Sequence, residues 1–184
     1  LVVGLGNPGP DYSHNRHNVG QMVLDGLASR ISSKFKSHKA GAQVAEGKLG
    51  NTKLILAKSN GYMNTSGGPV AALMKFYDIE PATLIVIHDE LDIDFGQLKI
   101  KFSGGHAGHN GLRSIISAIG NDYIRIRFGI GRPQGSQDPA DFVLKNFSSN
   151  EKPELPVLLE LAADMVESIA KTGLTEAQQT YHSK

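Results

Sequence analysis

The chain has 184 residues and no cysteine. That absence removes disulfides, thiolate nucleophiles and Cys-ligated zinc together. Long apolar runs are missing too. The longest are four or five residues, such as Leu84-Ile85-Val86-Ile87, far short of the ~20 a membrane-spanning helix needs. Charge of one sign is not in excess: 19 Lys+Arg stand against 18 Asp+Glu, a formal net charge of +1. A protein that coats nucleic acid through bulk charge is thereby excluded, although a local patch is not. No Gly-x-Ser-x-Gly elbow is present, which disfavours a serine hydrolase, and no P-loop pattern, which disfavours nucleotide triphosphate chemistry. EF-hand spacing and a His-x-x-x-His pair are also lacking, so no metal and no cofactor are expected.

What remains is an ordinary globular composition, 40% hydrophobic and 20% charged, with room for one sizeable core. No signal peptide is visible. The chain opens inside what reads as a strand, as if an initiator segment had been trimmed, and a cytoplasmic protein without membrane contact is expected. No exposed apolar stripe demands a partner, so a monomer is the default.

Strand-like and helix-like patterns alternate along the chain. Leu1 to Leu5 reads as a first strand. Val19, Met22, Val23, Leu27 and Ile31 place an amphipathic helix over 18–32. Residues 42–48 and 52–58 read as a hairpin turning at Gly50-Asn51. Ser66 is placed to cap a helix whose stripe is Val70, Leu73, Met74 and Tyr77. Residues 84–87 form a strand buried on both faces. Residues 97–102 alternate as a half-exposed strand and 124–130 alternate as another strand, with a helix striped by Leu112, Ile115, Ile116 and Ile119 between them. One long helix is expected from Glu151 onward. The expected architecture is a single α/β domain over 1–184, with 151–184 as a C-terminal helical segment. It has three layers, a mixed twisted β-sheet flanked by helices.

Charge is unevenly spread. Lys99, Lys101, Arg113, Arg125, Arg127 and Arg132 face only Asp122 between Gln97 and Pro133, which is +5 (6 − 1). Glu151 to Lys171 carries five acids and two lysines, or −3 (2 − 5). A neutral total hides a basic middle and an acidic end.

Four segments gather chemistry where an open α/β sheet forms its sites. The first is Gly4-Leu5-Gly6-Asn7-Pro8-Gly9-Pro10, followed by Asn15-Arg16-His17-Asn18. Its glycines fit the dinucleotide pattern, but Pro8 and Pro10 remove N–H groups where a phosphate-binding helix should begin. A rigid loop delivering the Asn7 amide and a neutral His17 at a helix start is the better reading; a helix-start His bonding only to backbone is the plain alternative. The second, Asn60 to Gly68, holds Met63 and Asn64. Asn64 is either a turn residue or a group that orients a carbonyl, and Met63 is packing or an adaptable pocket wall. The third is His88-Asp89-Glu90-Leu91-Asp92-Ile93-Asp94, a solvated acidic loop unless Asp89 accepts Nδ1–H from His17. The fourth, Ser103 to Gly111, is a glycine-rich loop carrying His109 and Asn110, with Asn110 either an N-cap or part of a closing lid. A set of His, Asp and Asn suits hydrolysis by an activated water with His as general base.

Together these segments resemble the bacterial peptidyl-tRNA hydrolase family. The likeness lies in Gly4-Leu-Gly-Asn-Pro-Gly9 with Tyr12, Arg16-His17-Asn18-x-Gly20, Tyr62-Met63-Asn64-x-Ser66-Gly67, His88-Asp89-Glu90-Leu91-Asp92, Gly108-His109-Asn110-Gly111-Leu112, and Arg125-Ile-Arg127-Phe-Gly129-Ile-Gly131-Arg-Pro133. Their order covers most of residues 1–133. One departure is Lys58-Ser59-Asn60-Gly61, where the family usually has Pro after Lys and Thr before the aromatic residue. The resemblance implies a metal-independent enzyme that cleaves the ester between a peptide and the 3′ end of its tRNA, freeing tRNA after premature release from the ribosome. It implies His17 as catalytic base supported by Asp89. It implies Asn7, Asn64 and Asn110 as holders of substrate or water, with Tyr12, Met63 and His109 grouped beside them as substrate-binding residues. Lys99, Lys101, Arg125 and Arg127 are the expected tRNA-binding surface. Two other readings stay open: a dinucleotide-dependent enzyme using the Gly4–Gly9 loop, and a non-catalytic RNA-binding module.

Overall fold

Strand periodicity decides the layering. The computed structural model describes residues 1–182. Its elements are β1 (Val2–Gly4), α1 (Val19–Arg30), β2 (Lys36–His38), β3 (Ala42–Leu49), β4 (Thr52–Ser59), α2 (Gly67–Tyr77), β5 (Ile85–Glu90), β6 (Leu98–Phe102), α3 (Asn110–Ile119), β7 (Ile124–Gly129), α4 (Pro139–Val143), α5 (Leu155–Thr172) and α6 (Leu174–His182). The seven strands form one sheet in the order β2-β3-β4-β1-β5-β7-β6. The β4-β1-β5-β7 centre is parallel, while β2, β3 and β6 pair antiparallel at the flanks.

Successive strand residues point to opposite faces. Val2, Ile85 and Ile87 therefore enter one core, with Val23 and Leu27 of α1 and Leu158, Ala162 and Val166 of α5. Val3, Leu84 and Val86 enter the other, with Val70 and Leu73 of α2 and Leu112 and Ile115 of α3. The apolar run at 84–87 is thus split between two cores. The result is the expected three-layer α/β domain.

Three local expectations need correction. The helix after Glu151 is two helices, broken where Gly173 takes φ +90° and its N–H closes on Ile169 O, a positive-φ helix stop that suits glycine; residues 183–184 of that segment lie outside the described residues. Ser66 makes no capping bond: its Oγ donates to Met63 O at 2.6 Å, and Gly67 N–H is met instead by Ser114 Oγ of α3 at 2.8 Å. A strand at Lys36–His38 was not expected.

Two glycines set how the site is built. A Cβ on Gly4 would overlap the Gly20 carbonyl, and one on Gly20 would overlap the Ile87 carbonyl. These residues let α1 lie directly on β1 and β5, so the glycine pattern serves helix–strand contact rather than phosphate binding. From β1 the chain leads toward the β4 side, and from β5 toward β7. The C-terminal ends of β1 and β5 therefore flank a topological switch point, where open α/β sheets form crevices.

Candidate active site

Asp89 lies within β5, one residue from its C-terminus, and is 3% exposed. A buried carboxylate needs donors, and two imidazoles supply them. His17, in a one-turn 3-10 helix over Arg16–Asn18 just ahead of α1, places Nδ1 2.9 and 3.0 Å from the two Asp89 oxygens. His109 places Nε2 2.8 Å from Asp89 Oδ1.

The tautomers follow from the remaining bonds. His109 Nδ1 accepts the Gly111 and Leu112 N–H groups at 3.1 and 3.3 Å, so its proton sits on Nε2 and is donated to Asp89. His109, not Asn110, is therefore the N-cap of α3. His17 in turn donates Nδ1–H to Asp89, leaving the Nε2 lone pair without a partner among the described residues. Burial lowers the His17 pKa, but the charge of Asp89 and the bond to it outweigh burial, and the net shift is upward. Burial by itself raises the Asp89 pKa; the facing imidazoles prevail and hold the carboxyl well below its usual range. Beneath them His88 is fully buried, its pKa lowered to about 3 by burial first and by His109 second. Its Nδ1 bonds Asp89 O at 2.8 Å and its Nε2 has no partner among the described residues.

These groups open into a cavity of about 500 Å³. Asn7 is fixed at its wall: its N–H and carbonyl are both held by the Asn18 amide, at 2.9 and 2.8 Å, and its Oδ1 accepts Met63 N–H at 2.7 Å. Only the Nδ2 donor is left over. Met63 is 4% exposed, and a Cβ on Gly111 would press into its sulfur at 2.6 Å, so that glycine lets α3 begin against the wall. Asn64 and Asn110 line the same cavity from exposed positions. Tyr12 does not line it; Tyr12 meets the exposed Tyr62 ring edge-on at 6.2 Å, and Tyr62 forms the rim. The unusual Ser59-Asn60 stretch is held without proline, because Ser59 Oγ accepts Gly61 N–H at 3.1 Å and Asn60 N–H bonds Gly41 O at 2.9 Å.

His17, Asp89 and His109 are close enough together to suggest a cation site. However, the nitrogens facing Asp89 both carry protons aimed at its oxygens. The cluster is joined by hydrogen bonds, and a metal would have to displace both protons.

The expected tRNA surface is only partly a surface. Cross-strand register sets Lys99 opposite Arg127 and Lys101 opposite Arg125 on one sheet face. Lys99 and Lys101 are exposed. Arg127 pairs with Glu90 at 3.0 Å. Arg125 is corrected: it is 3% exposed, and its guanidinium forks onto the Gly104 and Gly105 carbonyls, both at 2.5 Å. It pins the glycine-rich loop that carries His109. Other groups were not anticipated. Arg16 is buried, stacks on Phe142 at 3.9 Å and pairs with Glu151 at 2.8 Å, holding α4 against the cavity. Val143 and Leu144 supply its apolar side.

A sequence model of the peptidyl-tRNA hydrolase family matches residues 1–184. The chain belongs to the peptidyl-tRNA hydrolase family. It is 58% identical to the peptidyl-tRNA hydrolase of Arthrobacter sp. (strain FB24), with 100% of this chain and 96% of that protein aligned. It is 56% identical to that of Mycobacterium marinum, with 100% and 97% aligned. The crystal structure of peptidyl-tRNA hydrolase from Acinetobacter baumannii superposes with a TM-score of 0.93 at 34% identity, covering 100% of this chain and 94% of that one. In a peptidyl-tRNA hydrolase fold, then, the Gly4–Gly9 loop is a scaffold for Asn7 and His17.

Proposed function

We propose that this chain hydrolyses the ester joining a peptide to the 3′ end of tRNA, with His17 as general base. One observation carries the reading: His17 donates Nδ1–H to a buried carboxylate and keeps a free Nε2 lone pair at the cavity. Nε2 takes a proton from water, and the hydroxide attacks the ester carbonyl. The tetrahedral oxyanion collapses, the ribose oxygen leaves, and the proton held by His17 returns to it. Asp89 orients the ring and stabilises the imidazolium while it lasts. An ester is already activated, so no metal step is needed.

The Asn7 Nδ2 donor supports a role beside the reacting carbonyl, and Asn64 and Asn110 supply further amides. A donor preset for an oxyanion is worth roughly a few kcal/mol. Met63 and the rim Tyr62, with Tyr12 behind it, form the peptide side. Lys99 and Lys101 provide the tRNA contact, with Arg127 tied partly to Glu90. The protein acts in the cytoplasm, where ribosomes release such substrates. It acts as a monomer: five large apolar side chains are exposed among the described residues, and two of them, Tyr62 and Leu144, belong to the cavity itself.

The test is release of peptide from purified peptidyl-tRNA. His17→Ala should abolish turnover and leave tRNA affinity nearly intact. Loss of binding as large as the loss of rate would refute the catalytic role.

A further inference from the structure

A second opening, about 580 Å³ in volume, adjoins the first, and Asn64 and Asn110 are walls of both. It runs between α2 and α3. These helices touch where a Cβ on Gly67 would overlap the Ser114 carbonyl. The sequence of α3 explains its lining. Leu112, Ile115, Ile116 and Ile119 turn toward the core. Asn110, Arg113, Ser114 and Ser117 recur at 0, 3, 4 and 7 and form a polar stripe on the groove. Ser114 Oγ already accepts Gly67 N–H. Arg113 is exposed and has no ion-pair partner among the described residues. No acidic residue lines this groove. Gly68 leaves the opposite wall bare, with nothing within 4 Å of where its Cβ would stand.

Arg113 lies three residues from Asn110, about 4.5 Å further along the helix axis. A single unpaired cation with hydroxyl and amide neighbours, one helical turn from an amide that also lines the catalytic cavity, suits an anion covalently close to the scissile bond. It does not suit an apolar peptide side chain. We propose that this groove holds the phosphodiester backbone of the single-stranded 3′-terminal nucleotides, with Arg113 paired to a phosphate. The inference rests on the proposed reaction and adds a subsite to it. Lys99 and Lys101, on the β6 edge, address the tRNA body; Arg113 addresses its end.

Three substrates separate these roles: intact peptidyl-tRNA, a peptidyl ester of the 3′-terminal trinucleotide, and a peptidyl ester of adenosine, which has no phosphodiester. Arg113→Ala should raise KM about tenfold on the first two and leave the third unchanged, with Arg113→Lys in between. Lys101→Ala should affect only intact peptidyl-tRNA. Direct titration of the free trinucleotide gives an independent reading. Arg113→Ala should weaken its binding and reduce the slope of log Kd against log salt by about 0.7, the loss of one single-strand phosphate contact. An unchanged trinucleotide affinity, or an equal KM rise on the adenosine ester, overturns the groove assignment. Failure of the wild type to cleave any of the three esters refutes the proposed reaction instead, and the titration still decides whether the groove takes a phosphodiester.

Discussion

Replacing Asp89 by asparagine probes the tautomer argument at its centre. The carboxylate accepts two N–H groups, from His17 Nδ1 and His109 Nε2. Asparagine offers one oxygen and one amide nitrogen. The oxygen must stay opposite His109, because His109 Nδ1 is committed to the Gly111 and Leu112 N–H groups and its proton cannot leave Nε2. The amide nitrogen then replaces the nearer oxygen, 2.9 Å from His17 Nδ1, and only the oxygen shared with His109, 3.0 Å away, is left as an acceptor. The amide N–H opposes a second donor there, so the His17 population shifts toward the tautomer with its proton on Nε2. In that tautomer no lone pair faces the cavity to accept a proton from water. Loss of the correct tautomer in a Ser-His-Asp triad lowers kcat about 10⁴-fold. A drop of about 10³–10⁴ is expected here, equivalent to about 4–5.5 kcal/mol of transition-state stabilisation.

Single-turnover cleavage of peptidyl-tRNA across pH reads both the rate and the cause. His17 acts as a base only when neutral. Asp89 raises its pKa above 6.5, so wild-type rate should fall as pH drops through a value above 6.5. Without the carboxylate, burial is the dominant remaining influence, and the inflection of any residual rate should move below 6.5. A variant within threefold of wild type, or one with its inflection in the same place, would show that Asp89 does not set the His17 tautomer.

The remaining expectations concern the basic face and the buried histidine. Lys101→Ala should reduce the salt slope of tRNA binding by about 0.9, one duplex phosphate contact, whereas Arg125→Ala should leave that slope alone. Arg125→Ala should lower kcat and cost about 1–3 kcal/mol of stability, through loss of the two charge-assisted bonds that hold the glycine-rich loop; a reduced salt slope for this variant would return it to the tRNA surface. His88 stays neutral in the folded protein down to about pH 3 but titrates near 6.5 when unfolded. The unfolded chain therefore binds the extra proton between those values, and stability declines as pH falls through that window. Between pH 7 and 5 this amounts to about 2 kcal/mol. Denaturant midpoints at pH 7 and 5 should differ by correspondingly less in His88→Leu, and an equal acid loss in both proteins would contradict the assignment.

How far the sequence could be read depended on what each pattern encodes. The continuous apolar run at 84–87 and the helical stripes at 70–77 and 112–119 report burial, and burial builds the layers, so the three-layer plan was legible. Lys36-Ser37-His38 has no apolar alternation, because an edge strand of three residues buries almost nothing, and it was not. The His17–Asp89 pairing was legible because it needs only two strand ends at one switch point. The part played by His109 was not. Whether a ring caps a helix or faces a substrate depends on the backbone path of a glycine-rich loop, in which Ala107 and Gly108 both take positive φ.

Arg125 shows the same limit from the other side. Period-2 spacing correctly puts Arg125 and Arg127 on one face, opposite Lys101 and Lys99. Spacing cannot distinguish a face open to solvent from one over which a loop returns. With the structure in hand the +5 segment divides cleanly. Arg125 is spent on the loop, Arg127 on Glu90 and Arg132 on Asp92. Lys99, Lys101 and Arg113 are left without ion-pair partners among the described residues. The first two share a face of the β6 edge strand, and the third stands in the α2–α3 groove. The cations are divided between these two places, as the proposed substrate would require, with its duplex body and its single-stranded end held separately. The near-zero net charge is no obstacle to that arrangement. Three unpaired cations so placed would suffice for the proposed tRNA contacts, and the acidic segment from Glu151 to Lys171 offsets them in the total.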